Sequence, residues 1–544
     1  MGEPSADQGS SSERDRVVLL VLVLGVVAML GARLHVLDDE FPNPDIAGIV
    51  YNAELILDGG RPYLDTLEIK PPGAFLLTAA SISLLGRTLE ALQLFHALWL
   101  ALGAVGIWWA ARAIADDEAE PQLGPRCAAV GVAVYLVSAA MFSYNYSSWM
   151  TPAYALAVGA ALRGMRRGSG WHQVLAGAAA LAAVLIIQRA AVLAIVLPGL
   201  WIWARRRGWP GVHPRLWVQW IGGALLVGIP LVLWFGVGEA GLLFSGVVPV
   251  GVGLDYAASA DGSAFGSAIA ALPQLAEEFW WPVGLVTLAA IATATSRNRD
   301  FGAWFPGLLW LAASIIGAGL GGGRYYLHYL VQYAPALALL AASPALVRAG
   351  QTAAREPEAD TAGSERLRAR IVMALAVVIS VAQLGEIGLG EGHRYEAMAR
   401  RLKDGKSAAQ AAGAHIRAQT TEDDTIFAWG WTAWRVYYWA QRRSFSRVYK
   451  PLGSLTTFNT NTAFEPGQGI EFRDGPIAEQ VLVEFDANPP AYVIYSPSMV
   501  QAFGAKHEPL EDYVGLRDRI TRDYVPEAQF GDLRLLRRRP TAPR

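Results

Sequence analysis

The sequence predicts a polytopic α-helical membrane protein that carries a small α/β domain at its C-terminal end, and three observations lead there. Apolar runs of about 16–24 residues recur along roughly the first 390 positions, close to the ~20 residues an α-helix needs to cross a bilayer. Only 17% of the 544 residues are charged and 53% are hydrophobic, where a soluble protein carries about 25% charged residues. Beyond about His393 the pattern changes to short strand-like runs alternating with helical ones, which argues a small α/β domain. A net charge of −2 says nothing about nucleic acid, and no basic helix or zinc spacing supports it, so no nucleic-acid partner is expected. The one cysteine, Cys127, excludes an internal disulfide framework and a multi-cysteine metal site.

Taken in order, residues 1–16 are polar and small and read as a disordered cytoplasmic tail. Arg14 and Arg16 precede the apolar run Val17–Leu34. No small-residue cleavage site follows it, so the run reads as an uncleaved first span. Residues 17–390 form the transmembrane domain, with 37–73 as its first external loop. The 71–86 stretch, PPGAFLLTAASISLLG, is apolar but short and opens on a proline pair. Charge decides whether it crosses. If it does not, further spans fall near 89–111, 127–145, 150–162, 172–187, 190–204, 216–237, 280–296, 303–320, 326–346 and 371–388. The basic clusters at 165–168, 204–208, 296–299 and 348–370 then all lie inside, and the 238–279 loop, without Lys or Arg, lies outside. If 71–86 does cross, the later loops reverse and break the positive-inside rule repeatedly. The expectation is therefore about eleven spans in the plasma (inner) membrane, a cytoplasmic N-terminus, and an extracytoplasmic domain at 391–544. In that domain DDTIFAWG, PPAYVIYSPS and QFGDLRLLRRR read as strands, and 395–419, 432–442, 475–487 and 510–524 as helices.

The 37–73 loop, LDDEFPNPDIAGIVYNAELILDGGRPYLDTLEIKPPG, concentrates the chemistry. Asp38, Asp39, Glu40, Asp45, Glu54, Asp58, Asp65 and Glu68 share it with only two basic residues, Arg61 and Lys70. The run IAGIVYNAELIL has helical spacing and reads as a helix on the membrane surface, apolar face down. Asp45 stands directly before it, where capping the helix is the simplest role. A second stretch, GGGRYYLHYLVQYAP, holds Arg324, Tyr326, His328, Tyr329, Gln332 and Pro335. In this threading Lys70, Arg324 and Arg189 (in LIIQRAAV) sit at the outer ends of spans, where cations are rare. A charge there is a functional candidate by default; snorkelling to headgroups is the alternative.

These stretches resemble the polyprenyl-phosphate-sugar-dependent integral-membrane glycosyltransferases of the GT-C class, related to protein O-mannosyltransferases and the lipid A aminoarabinose transferases. The family pattern is an Asp usually followed by Glu, a helix ending near L-x-x-G, then P-Y-x-D and K-P-P. Asp45, Leu57 to Gly60, Pro62 to Asp65 and Lys70 to Pro72 match it, with Ile46 where the Glu would stand. Asp39 and Glu40 offer a false match, too far from Gly60. Arg324 to Pro335 resembles the family's G-R-x-Y-x-H-Y-x-x-Q-x-x-P segment, and Gln188-Arg189 resembles a K-Q or K-P pair with the order of charge changed.

The resemblance implies a GT-C-like fold and transfer of a sugar from a polyprenyl-phosphate carrier to an acceptor hydroxyl of a glycan, lipid or protein, outside the membrane. It implies Asp45 as general base and Lys70, Arg324, Arg189 and His328 as ligands of the donor phosphate. Asp38, Asp39, Glu40, Tyr63, Asp65, Glu68, Tyr326 and Gln332 are substrate-binding candidates. No cofactor and no metal site are expected. The next external loop, YNYSSWMTP (144–152), lacks the acid that many relatives carry, and His35 near Asp38 and Asp39 lacks the fixed helical spacing of a metal site. Two other classes share the carrier or the topology: a polysaccharide ligase or polymerase using a lipid diphosphate donor, and a transporter of lipid-linked sugars. A transporter predicts charges near mid-bilayer and paired broken helices in two halves, whereas this chain gathers its acids in one external loop.

Overall fold

The computed structural model describes residues 44–116, 119–140, 142, 144–236, 256, 258, 264–296, 300–354, 363–404, 407–458, 460, 469–497 and 508–540. The expected cytoplasmic tail, the first span, and Asp38, Asp39 and Glu40 lie outside these residues. The chain folds as a helical bundle topped by an α/β domain. Among the described residues five helices are long and apolar enough to cross a membrane: Leu89–Ala115, Leu123–Ala140, Arg215–Phe235, Phe301–Gly319 and Gly363–Leu389. Two bent pairs, Gly266–Glu278 with Trp280–Thr295 and His328–Ala341 with Pro344–Ala354, raise the number to seven if each crosses as a unit.

The difference from eleven has physical reasons beyond the undescribed first span. Helix Tyr146–Arg167 is 22 residues long but buried from Tyr146 almost throughout to Met165. Its neighbours rather than lipid set its composition, so Ser147, Ser148 and Thr151 are tolerated. It packs backbone to backbone on Leu89–Ala115, since a Cβ on Gly159 would lie 2.0 Å from the Gly106 carbonyl oxygen. Gly170–Ile186 and Leu193–Arg206 have 17 and 14 residues and are parted by the 3₁₀ turn Gln188–Val192. Helix Gly73–Leu85 has 13 residues, about 20 Å of length. That is short of the ~30 Å hydrocarbon core.

Helix Tyr146–Arg167 also gives the bundle a direction. Lys70 reaches the ring of Tyr146 at its start, while Arg166 near its end shares a cavity with Arg207 and Arg348. At 1.5 Å per residue these ends are roughly 30 Å apart. Three basic clusters that the sequence assigns to one side thus meet at one end, away from Lys70. With Cys127 replaced by Ser, a Thr421→Cys variant is expected to react with an impermeant thiol reagent in intact cells or spheroplasts. An Arg206→Cys variant should react only after permeabilisation; the opposite pattern would invert the threading.

Helix Gly363–Asp404 runs unbroken for 42 residues, through the 390/391 boundary drawn from composition. The next helix starts at Ala408, where Ser407 and Gln410 form a capping box. The sheet has strand order β1-β2-β4-β3, with β1 Ile426–Trp429, β2 Tyr492–Tyr495, β3 Tyr524–Phe530 and β4 Leu533–Arg538. Strands β1 and β2 are parallel; β4 pairs antiparallel with both β2 and β3. The sequence pattern does not announce β3. It is an edge strand containing Pro526 and is largely exposed, so it lacks the alternation that marks a half-buried strand.

Candidate active site

Helix Pro44–Leu57 carries Asp45 in its first turn, half-buried. The expected surface helix is instead clamped between the bundle and the α/β domain, with Ile46, Ile49, Val50 and Ala53 at most 1% exposed. Tyr51 stacks on Tyr449 at 4.5 Å, and its hydroxyl accepts the Ser444 N–H at 2.9 Å. Arg443 donates to the Tyr51 carbonyl at 3.1 Å and pairs with Asp58. Arg87 pairs with Glu54 and donates to the Tyr438 carbonyl at 2.7 Å.

The 61–70 turn that follows is built to hold Lys70. Exposed Asp65 accepts the Arg61 N–H at 2.6 Å, so its carboxylate closes the turn. Tyr63 sits at φ +74°, a conformation that is strained for a non-glycine residue. It is held there by its hydroxyl, which donates to the Lys70 carbonyl at 2.6 Å, and by packing on Phe235. Glu68 is buried, and its carboxylate accepts from Lys450 at 2.7 Å, Tyr449 at 2.5 Å, and the N–H groups of Ile69 at 2.7 Å and Lys70 at 3.3 Å. Gln188 donates to the Ile69 carbonyl at 3.1 Å. Gly73 lets the chain turn onto helix Gly170–Ile186, because a Cβ there would lie 2.6 Å from the Leu185 carbonyl oxygen.

So held, the Lys70 ammonium lies 5.7 Å from the Tyr146 ring and 5.4 Å from the Tyr256 ring. Arg189, in the 3₁₀ turn Gln188–Val192, is buried, donates to Ser147 and lies 4.0 Å over the Tyr329 ring. Its Nε is buried with no hydrogen-bond partner among the described residues. Arg324, fully buried, donates to the Tyr256 carbonyl at 3.0 Å and lies 4.2 Å over that ring. The hydroxyls of Tyr256 and Tyr329 are 3.2 Å apart. His328 lies between Tyr326 and Tyr329 and feels the charges of Arg189 and Lys70. Tyr146 in turn feels the carboxylates of Glu68 and Asp45. Lys70, Arg189, Arg324, His328 and Asp45 are therefore gathered around Tyr146, Tyr256 and Tyr329.

The remaining candidates are placed otherwise. Gln332 is fully buried and donates to the Ser314 carbonyl at 3.0 Å, tying this segment to helix Phe305–Gly319. Asn145 caps helix Tyr146–Arg167 in a capping box with Ser148, and His96 bonds to Ser148 at 2.9 Å as a core histidine. No group of three or more His, Cys, Asp or Glu that could hold a metal ion occurs among the described residues. Sequence reasoning missed Tyr256, Tyr449 and Lys450. The lack of Lys and Arg in the 238–279 loop was the only pointer to Tyr256, and nothing local marks the other two.

Chemically, the arrangement is a cluster of cations flanked by tyrosines, beside a carboxylate. Lys70 and Arg189 have no carboxylate partner among the described residues. Burying a cation costs several kcal/mol without a counter-charge, and the aromatic faces offset about 0.5–2 kcal/mol of it. An anionic group would complete the site.

No family model matches the chain, and no curated protein sequence matches it. Its structure is similar to that of ArnT from Cupriavidus metallidurans in two crystal structures. With the form bound to undecaprenyl phosphate the TM-score is 0.57 at 17% identity, over 98% of this chain and 100% of that chain. With the apo form it is 0.55 at 16% identity, over 98% of each. Bundle and terminal domain together, the chain has the GT-C fold of ArnT.

Proposed function

We propose that the protein transfers a sugar from a polyprenyl-phosphate carrier to an acceptor hydroxyl at the outer face of the plasma membrane. The observation that carries this reading is the buried Arg189, brought with Lys70 to one cluster of tyrosines where neither cation has a carboxylate partner among the described residues. Asp45 takes the proton of the acceptor hydroxyl as its oxygen attacks the anomeric carbon. The bond from that carbon to the phosphate oxygen breaks, and its electron pair leaves with the lipid phosphate. Lys70, Arg189 and Arg324 neutralise the charge that develops there, with His328 beside them. One base and direct displacement favour inversion at the anomeric carbon. The ArnT structure bound to undecaprenyl phosphate supports the choice of carrier.

Charge-assisted hydrogen bonds at such a site contribute roughly 1.5–3 kcal/mol each. Lys70→Ala and Arg189→Gln are each expected to weaken undecaprenyl-phosphate binding to the purified protein by about ten- to a hundredfold. The double variant should lose less than the sum, because both groups act on one phosphate. Unchanged affinity in both single variants would remove the phosphate site. Mass spectrometry of surface glycolipids, polysaccharides and glycoproteins from cells with and without the chain tests the transfer itself. Identical glycans in both would reject it.

A further inference from the structure

At the end of the bundle away from Lys70 lies a cavity of about 450 Å³ that sugar transfer leaves unused. Its volume is that of a small-ligand site. Asp116, Arg166, Arg207, Asp300, Ser343 and Arg348 line it, contributed by helix ends that are far apart in the chain. Most of its charges are matched. Arg207 grips Asp300 through two bonds of 3.1 and 2.6 Å, Arg348 clasps both Glu120 oxygens at 3.0 and 3.1 Å, and Asp116 takes Arg112 and Arg163 at 3.3 Å each.

Arg166 differs. Its Nη2 donates to the Asp116 carbonyl at 2.6 Å and its guanidinium lies 5.4 Å over the Trp209 ring, but it meets no carboxylate among the described residues. Among the described residues, five arginines thus face three carboxylates in and around the cavity. Helix Pro344–Ala354 begins at the cavity wall, where the Ser343 hydroxyl accepts the Ala345 N–H at 3.3 Å. Its positive dipole end adds to the balance. An arginine that only anchored a helix to headgroups would lie along the lipid-facing surface. Arg166 is half-buried against a polar, multi-helix cavity.

We propose that this cavity binds a phosphate-bearing anion, with Arg166 as the principal ligand and Ser343 and the start of helix Pro344–Ala354 beside it. A guanidinium with open donors matches phosphate oxygens in a bidentate fork. The phosphate can come from the headgroup of an acidic phospholipid or from a free phosphate compound, and the chemistry of recognition is shared. The purified full-length protein is reconstituted with phosphatidylglycerol and phosphatidylcholine, and lipid retention is read by native mass spectrometry. In parallel, its thermal stability is measured with and without pyrophosphate at constant ionic strength. Preferential retention of phosphatidylglycerol identifies the lipid source, and stabilisation by pyrophosphate the free one. In either arm Arg166→Gln should weaken the interaction about ten- to a hundredfold. Ala303→Leu, which fills the cavity while keeping every charge, should weaken it too, and it decides the matter if Arg166→Gln does not fold. No preference for phosphatidylglycerol and no response to pyrophosphate in the wild type, or responses unchanged in the variants, would overturn the proposal.

Discussion

Asp45→Asn is expected to abolish sugar transfer while leaving the fold and donor binding intact. Asn is near-isosteric with Asp, so the packing around the helix start is kept. The loss of negative charge in the first turn of Pro44–Leu57 costs only about 0.3–1 kcal/mol of dipole interaction. What disappears is the group that takes the acceptor proton, and general-base catalysis is worth about two to four orders of magnitude in rate. Turnover should therefore fall by about 10²- to 10⁴-fold, with undecaprenyl-phosphate affinity within a factor of about two. Wild-type turnover in Asp45→Asn, with the loss appearing in Asp39→Asn instead, would move the base to the earlier acidic pair.

Breaking the Glu68–Lys450 pair should have the next largest effect, and a wider one. The Glu68 side chain is fully buried and Lys450 is 11% exposed. Removing one partner of a buried pair costs roughly 3–5 kcal/mol, because the other charge stays behind uncompensated. Lys450→Met should loosen the α/β domain from helix Pro44–Leu57 and the 61–70 turn, seen as faster limited proteolysis and a lower Tm. Transfer should fall as well, since Glu68 also accepts the N–H groups of Ile69 and Lys70. Combining it with Glu68→Gln should cost less than the two singly.

The same pair sets a pH dependence. Burial by itself raises the Glu68 pKa, but the Lys450 charge and the hydrogen bonds from Lys450, Tyr449 and the Ile69 N–H outweigh it and hold the carboxyl below its ordinary range. A folded-state pKa below the unfolded one gives stability that is fully present above about pH 4.3, the ordinary Glu value. That stability is lost as pH falls through the depressed value. Thermal melts between pH 3 and 7 should show an acid loss in the wild type that is smaller in Glu68→Gln. Equal acid losses in both proteins would rule out this assignment.

Much of the molecule follows from the sequence, because the bilayer acts as a solvent that local composition must satisfy. Long apolar runs mark helices such as Leu89–Ala115 and Arg215–Phe235 wherever lipid touches them. The placement of Lys and Arg predicts that the 71–86 stretch does not cross, and the helix there, Gly73–Leu85, has 13 residues. The spacing from Asp45 through Pro62 to Lys70, and from Arg324 to Pro335, is local and legible, as is the scarcity of cations where Lys70, Arg189 and Arg324 stand. The tertiary structure alone decided the rest. A span near 150–162 was legible, but only the structure shows that helix Tyr146–Arg167 is surrounded by protein, so that lipid does not dictate its composition. Helix Pro44–Leu57 was expected on the membrane surface, yet its apolar residues are equally satisfied by the α/β domain that covers it. Glu68 finds Lys450 across 382 positions of sequence, and Tyr256 joins Arg324 from another loop. Periodicity reports the environment of a segment but not the identity of its partner, and a buried pair or a clamped helix exists only once distant parts of the chain have met.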